Sequence, residues 1–329
     1  VGPDSMSPED ANSDASNLGE VVSGDSDLDG VQVVRDPDAL RFSSSVVAIG
    51  NFDGVHLGHQ LLLEHLRDES RRLGLPGVVL TFFPPSKVFF RGSEFLSSER
   101  EKLRLLRAFE PAAVALVPFD LDYARTPKEV FLRQLERLGP RTLIVGEDFR
   151  FGHARAGTLN DLSHLPERLE VFALKRVEGE PISSSRIRAL LGAGRVEAVR
   201  PLLGRAYSAL GVVQAGERRG RTIGFPTANL AVPEGKALPL GVFAVRVETG
   251  AGRFGGMANV GPRPSFPDAP SALEVHLFGF AGDLYGQELE VSFEAFLRPQ
   301  TRFASLEELK AQLGRDRVAA TEALERLPE

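Results

Sequence analysis

From about residue 31 to 190 the chain alternates short, nearly unbroken apolar runs with segments of helical period. The strand-like runs are Val46–Ile49, Gly77–Phe83, Ala112–Pro118, Thr142–Val145 and Leu169–Val177. Helical patterns at Gly58–Leu73, Ser98–Phe109, Pro127–Leu138 and Thr158–Leu165 separate them. Strands this continuous in apolar residues suit a parallel sheet buried on both faces, and the alternation predicts a doubly wound α/β domain. Two short helical pieces, Ser184–Leu191 and Val196–Leu203, are punctuated by Gly192, Gly194 and Gly204. From Tyr207 the texture changes. Short alternating runs at Tyr207–Gln214, Val242–Glu248, Arg253–Asn259, Leu273–Phe278 and Glu288–Glu294 lie between Gly and Pro clusters, which predicts an antiparallel sandwich or barrel. Ser305–Leu327 returns to helix behind the capping box Ser305-Leu306-Glu307-Glu308. There is no internal repeat, so the halves read as unrelated domains.

The length of 329 residues accommodates two domains. The absence of cysteine removes disulfides, thiolate nucleophiles and cysteine-based metal sites, and agrees with a cytoplasmic protein. The net charge of −6 is uneven: residues 1–38 hold ten acidic side chains and one arginine, so the remainder is +3. A nearly neutral folded part gives little support to nucleic-acid binding. The first thirty residues are rich in Ser, Asp, Gly and Asn; they are expected to be disordered and not a signal peptide. No apolar run approaches the length of a membrane helix.

The richest chemistry follows the first strand, in Gly50-Asn51-Phe52-Asp53-Gly54-Val55-His56-Leu57-Gly58-His59. A strand, a Gly-rich turn and a helix start form a natural phosphate site, because free backbone N–H groups and the positive end of the helix dipole converge there. His56 and His59, three apart, project from one side of the first turn. No third ligand with metal-site spacing accompanies them, so imidazole N–H donors to phosphate are a better reading than zinc.

The stretch Asn51–His59 resembles the HxGH signature of nucleotidyltransferases, in the version carried by prokaryotic FAD synthetases. Val145-Gly146-Glu147-Asp148-Phe149-Arg150-Phe151-Gly152 is similar to that family's second motif, and Ile182-Ser183-Ser184-Ser185-Arg186-Ile187-Arg188 to its third. The resemblance implies ATP or phosphate contacts from Gly50, Phe52, Asp53, Gly54, Gly58, Asp148, Ser183, Ser184, Ser185 and Arg188, with His56, His59 and Arg186 in the catalytic step. Where related sequences tend to have Pro-His-Pro, this chain has Pro84-Pro85-Ser86, followed by Lys87.

A second resemblance lies in Gly220-Arg221-Thr222-Ile223-Gly224-Phe225-Pro226-Thr227-Ala228-Asn229-Leu230, which looks like the Pro-Thr-Ala-Asn segment of bacterial riboflavin kinases. Thr227 and Asn229, two apart in an extended run, offer neutral oxygens on one side, a donor set suited to Mg²⁺. The resemblance implies Mg²⁺ on that pair, ATP phosphates along Gly220, Arg221, Gly224 and Pro226, Glu274 as general base toward the riboflavin 5′-hydroxyl, and Asn259 and Arg298 beside the flavin.

Together these imply residues 1–30 as an acidic tail, 31–191 as a Rossmann-like FMN adenylyltransferase domain, 192–205 as a linker, and 206–329 as a mainly β riboflavin-kinase barrel with a C-terminal helix. The implied substrates and products are riboflavin, FMN, FAD and ATP, in a cytoplasmic monomer or weak homo-oligomer without nucleic-acid or membrane partners. The alternatives are a non-catalytic flavin- or nucleotide-binding regulatory protein and a nucleotidyltransferase with another acceptor.

Overall fold

The computed structural model describes residues 27–28, 30–215, 224–261 and 272–327. The described residues form two compact units that interleave along the chain. One comprises those up to 49 with 65–81 and 110–171; the other comprises 50–64, 82–109 and those from 172 onward.

In chain order the first half contains β1 (Asp27–Leu28), β2 (Val31–Val34), β3 (Ser45–Ile49), α1 (Leu57–Leu73), β4 (Gly77–Phe83), α2 (Ser86–Arg91) and α3 (Glu99–Arg107). There follow β5 (Ala113–Pro118), α4 (Leu121–Ala124), α5 (Lys128–Arg137), β6 (Pro140–Gly146), α6 (Leu159–Leu162) and β7 (Arg168–Phe172). The seven strands form one sheet in the order β1-β2-β5-β4-β3-β6-β7. β2 runs parallel to β5, and β3 runs parallel to both β4 and β6; the short β1 is antiparallel to its neighbour β2. Every residue of β3 is buried, as the apolar run requires of a central strand. The strand order reverses at β3, between β4 and β6, and in such sheets ligands bind beyond the carboxyl ends at that reversal. The HxGH turn leaves from that end of β3.

Two expected elements are shorter. The helix expected over Thr158–Leu165 closes at Leu162, because Leu165 precedes Pro166 and is disfavoured in helical backbone. The strand expected over Leu169–Val177 ends at Phe172, at the edge of the sheet. The chain then forms a separate hairpin of β8 (Arg176–Val177) and β9 (Glu180–Pro181).

The remainder contains α7 (Ser184–Gly192), α8 (Val196–Leu203) and six strands: β10 (Tyr207–Gln214), β11 (Ala228–Ala231), β12 (Gly241–Thr249), β13 (Gly252–Gly261), β14 (Ala272–Leu277) and β15 (Glu288–Arg298). They close into an antiparallel barrel in the order β10-β11-β14-β13-β12-β15, which decides between sandwich and barrel. Alternate residues fill it: Phe243, Val245, Val247, Leu273, Val275, Val291 and Phe293 are all buried in one core with Leu191, Val199 and Leu203 of the two helices. Burying each such side chain contributes about 1.5–3 kcal/mol. The outer face carries a smaller cluster of Ala244, Met257 and Ala320, the last from α9 (Leu306–Arg326). Ser305 caps α9 by accepting from the Glu308 N–H at 3.1 Å, but Glu308 reaches back to the Ala304 N–H at 3.0 Å, one residue earlier than the expected box.

Candidate functional site

The HxGH turn is strained and tightly packed. Phe52 and Val55 have positive φ of 42° and 40°, values that non-glycine residues seldom adopt. Both are buried, so packing holds them there. Gly50 and Gly54 are dictated by space: a Cβ on Gly50 would meet the Phe52 ring at 3.0 Å, and one on Gly54 would meet Leu96 at 2.8 Å. Gly54 also needs its φ of 77°. Gly58 leaves room for His56, whose ring would lie 3.2 Å from an added Cβ.

His56 and His59 stack face to face, with centroids 3.6 Å apart and planes 13° from parallel, and Phe52 meets His59 edge-on at 5.3 Å. Burial lowers the His56 pKa to about 4, and holds that of His59 well below its ordinary value with help from the neighbouring His56 and Lys102. Both imidazoles are therefore neutral at pH 7. The His59 backbone N–H donates to the His56 carbonyl at 2.7 Å and also points at His56 Nδ1, 3.3 Å away. This favours the tautomer of His56 with its proton on Nε2. His59 Nδ1 is buried and has no hydrogen-bond partner among the described residues.

The third motif packs onto the same turn. Ser183 caps α7, its Oγ accepting from the Arg186 N–H at 3.2 Å. Ser184 donates to the Asp53 carbonyl at 3.1 Å. Arg188 donates to Asp53 Oδ2 at 2.8 Å and to Ser185 Oγ at 3.3 Å. Asp53 Oδ1 accepts from the N–H groups of Leu96 and Ser97 at 2.8 and 3.3 Å. Arg186 faces the β8–β9 hairpin, donating to the carbonyls of Val177 and Glu180 and pairing with the Glu180 carboxylate at 3.3 Å. The structure thus gathers Gly50, Phe52, Asp53, Gly54, His56, Gly58, His59, Ser183, Ser184, Ser185 and Arg188 around one turn, while Arg186, on the same helix α7, turns its side chain to the hairpin. Asp148 belongs to the other unit. It follows β6 in a turn closed by the Phe149 N–H donating to the Gly146 carbonyl at 3.0 Å.

Lys102 and Arg205, which sequence reasoning passed over, support this turn, as does Ser86, which it singled out only as a departure from the family pattern. Lys102 is fully buried and donates to the Asn51 and Phe82 carbonyls. Arg205 donates to the Gly54 carbonyl at 2.8 Å. Ser86, where the resemblance implies a proline, donates its N–H to Asn51 Oδ1 at 3.0 Å, a bond that proline could not make. The signal for Lys102 was its place beside Leu103 and Leu106 on the apolar face of α3, masked by its charged neighbours.

In the barrel, register aligns the second set. Glu274 on β14 lies directly opposite Asn229 on β11 and opposite Asn259 on β13. The three therefore share one face, the outer one, because Leu273 and Val275 between them point into the core. Asn259 accepts from the Gln300 amide at 3.0 Å. Thr227 is exposed and Asn229 half-buried just where β11 begins. The segment is pinned by His276, which is buried and holds Nδ1 2.7 Å from the Pro226 carbonyl, with Phe225 against its ring. A carbonyl only accepts, so Nδ1 carries the proton. Gly224 needs its φ of 86°. Gly220 and Arg221 lie outside the described residues. Arg298, expected beside the flavin, is bound by Asp316 of α9, donating from Nε at 2.9 Å and Nη2 at 2.8 Å.

The family model for FAD synthetase matches residues 39–186 and that for riboflavin kinase matches residues 203–324. The bifunctional riboflavin kinase/FMN adenylyltransferase of Escherichia coli K12 is 38% identical over 287 residues, covering 84% of this chain and 92% of that protein. The protein of the same name from Haemophilus influenzae is 36% identical over 280 residues, covering 82% and 91%. A crystal structure of a macrolide-efflux protein from Streptococcus pneumoniae superposes with a TM-score of 0.79 at 28% identity, covering 89% of this chain and 99% of that one. Among the described residues no helix is long and apolar enough to cross a membrane. With both family models matched in order and relatives above 30% identity over nearly their whole length, the chain belongs to the bifunctional riboflavin kinase/FMN adenylyltransferase family.

Proposed function

We infer that this chain phosphorylates riboflavin to FMN with ATP and then adenylylates FMN to FAD, releasing pyrophosphate. The observation that carries the first step is the register of Asn229, Glu274 and Asn259 across three adjacent strands. Glu274 takes the proton from the riboflavin 5′-hydroxyl as that oxygen bonds to the γ-phosphorus of ATP, and ADP leaves. The hydroxyl of Thr227 and the amide oxygen of Asn229 are hard, neutral donors, the kind Mg²⁺ accepts while keeping waters and bridging phosphates. They would hold that ion, which when bound neutralises charge on the transferring phosphoryl group. Gly224 and Pro226, with Gly220 and Arg221 before them, would border the ATP phosphates. Asn259, and Arg298 behind its pair with Asp316, would border the flavin.

The second step occurs at the turn after β3. A phosphate oxygen of FMN attacks the α-phosphorus of ATP, and the bond to pyrophosphate breaks. FMN phosphate is already anionic, so the step needs positioning and charge stabilisation more than a base. His56 presents Nε2–H, and buried neutral His59 supplies a second imidazole. Ser183, Ser184 and Ser185 at the start of α7 add hydroxyls and helix N–H groups. Arg188 positions the turn through Asp53, Arg186 provides a nearby cation, and Asp148 contributes to nucleotide binding. An adenylyltransferase domain over 31–191, a linker over 192–205 and a kinase domain over 206–329 fit this division of labour. A chain that consumes ATP in both steps is placed in the cytoplasm.

Chromatography of riboflavin, ATP and Mg²⁺ with the chain tests the reading. FMN followed by FAD is expected. The absence of any new flavin would favour a non-catalytic flavin-binding protein.

A further inference from the structure

Lys102 sits on α3 with no solvent exposure, beneath the turn that carries the two histidines. Its ammonium donates to the Asn51 carbonyl at 2.9 Å and to the Phe82 carbonyl at 2.6 Å. Asn51 is the second residue after β3, and Phe82 is the next-to-last residue of β4. One cation thus ties the loop that leaves β3 to the carboxyl end of its neighbour β4, at the reversal of the sheet. The ring of Phe83 lies 5.6 Å from the ammonium. Burial lowers its pKa from 10.5 to about 8 against the opposing pull of Asp53 and Glu99, so it is still mostly charged at pH 7, and among the described residues no carboxylate lies within ion-pair distance of it. Burial of a lysine in this way is costly unless an anion compensates it. Burial first, then His56, lowers the proton affinity of His59, and the Lys102 charge adds to that in the same direction. The surroundings are therefore electropositive and the histidines neutral, an arrangement matched to an incoming polyphosphate.

We propose that Lys102 is a positioning residue for adenylyl transfer: its buried charge fixes the Asn51 loop to the end of β4 at Phe82 and supplies the standing positive field in which the ATP triphosphate seats. This rests on the adenylyltransferase reading above. Lysine suits the place because its compact ammonium carries three donors, and two are spent on carbonyls. Methionine would fill the same space without charge or donors. Arginine would keep the charge but spread its donors over a larger planar fork.

The test measures FAD formation from added FMN and ATP, with riboflavin phosphorylation by the same preparation as a check on folding. K102M is expected to raise KM for ATP in the adenylyl step at least tenfold and to lower kcat/KM about a hundredfold, with riboflavin phosphorylation within twofold of wild type. K102R is expected to keep KM for ATP within threefold and to lose about tenfold in kcat. If K102M merely melts at a lower temperature, with adenylyl KM and kcat unchanged, the proposal is overturned. If K102M loses both activities through misfolding, K102R decides: a tenfold drop in adenylyl kcat beside a normal kinase rate supports the proposal, and wild-type adenylyl kinetics overturn it. Failure of the wild-type chain to make FAD from FMN would instead remove the adenylyltransferase reading, before any variant is made.

Discussion

Arg188 Nη1 donates to Asp53 Oδ2 at 2.8 Å, joining the third motif to the first. Asp53 is almost fully buried and also receives two backbone N–H groups from Leu96 and Ser97. The pair is thus a structural tie between α7 and the HxGH turn. Removing one partner of a buried pair leaves the other charge uncompensated, which costs about 3–5 kcal/mol. R188A is expected to lose stability on that scale in urea titrations and to lose FAD formation more than a hundredfold, while FMN formation from riboflavin stays close to wild type. Wild-type FAD formation in R188A would show that the tie has no part in catalysis.

Acid should weaken the fold through the stacked histidines. The His56 pKa is lowered by burial from 6.5 to about 4, so between those values the unfolded chain binds a proton that the native state does not. The unfolded state gains protons as pH falls, and stability falls with it. The loss begins near pH 6.5 and is complete near pH 4, at about 1.4 kcal/mol per pKa unit, or on the order of 3 kcal/mol in all. His59 acts in the same direction. Replacing His56 by Gln should flatten the stability profile between pH 6.5 and 4 in urea titrations at stepped pH. It should also leave FMN accumulating from riboflavin and ATP, because the kinase residues are elsewhere.

Glu274 separates the two activities from the other side. It stands opposite Asn229 and Asn259 in the barrel, on the same face as both. Gln in its place preserves shape but cannot take the hydroxyl proton. E274Q is expected to lower kcat for FMN formation by 10²–10⁴-fold, the usual contribution of a general base. Adenylylation of added FMN should proceed at the wild-type rate. Loss of both activities together would mean that the two sites are not independent, and would remove this assignment.

The longer elements of both halves were legible because their periodicity is clean: the β10 strand begins and ends where the apolar alternation does, at Tyr207 and Gln214. The short β1, β2, α2, α4 and β11 were not, because two to six residues carry too little period to stand out. Site residues adjacent in sequence, such as Gly50–His59 and Ser183–Arg188, were legible for the same reason. The opposition of Glu274 to both asparagines was not, because register between β11, β13 and β14 depends on three distant segments meeting. The commitments of the arginines were also hidden. Arg186 and Arg188 are two apart on one short helix, yet one turns to the Glu180 hairpin and the other to Asp53. Lys102 and His276 were hidden for another reason: each carries a polar label in an amphipathic segment, and only the carbonyls they reach explain why they lie inside.

Arg298 shows how an expected flavin contact can double as a latch. It ends β15, and its guanidinium grips Asp316 in the middle of α9, with Gln312 donating to the same carboxylate at 2.8 Å. Asp316 is buried, so D316A leaves a guanidinium with no carboxylate beside it and frees α9 from the strand end. Stability should fall by about 3 kcal/mol or more, measured by urea unfolding. Two residues beyond Arg298, Gln300 donates to Asn259, which stands opposite Glu274. Release of the strand end should therefore disturb Asn259 before it disturbs Glu274. KM for riboflavin is expected to rise about tenfold in D316A while kcat for phosphorylation changes less than threefold, and adenylylation of added FMN stays unchanged. An unchanged KM with the same loss of stability would show that the pair fastens the helix and leaves the flavin untouched.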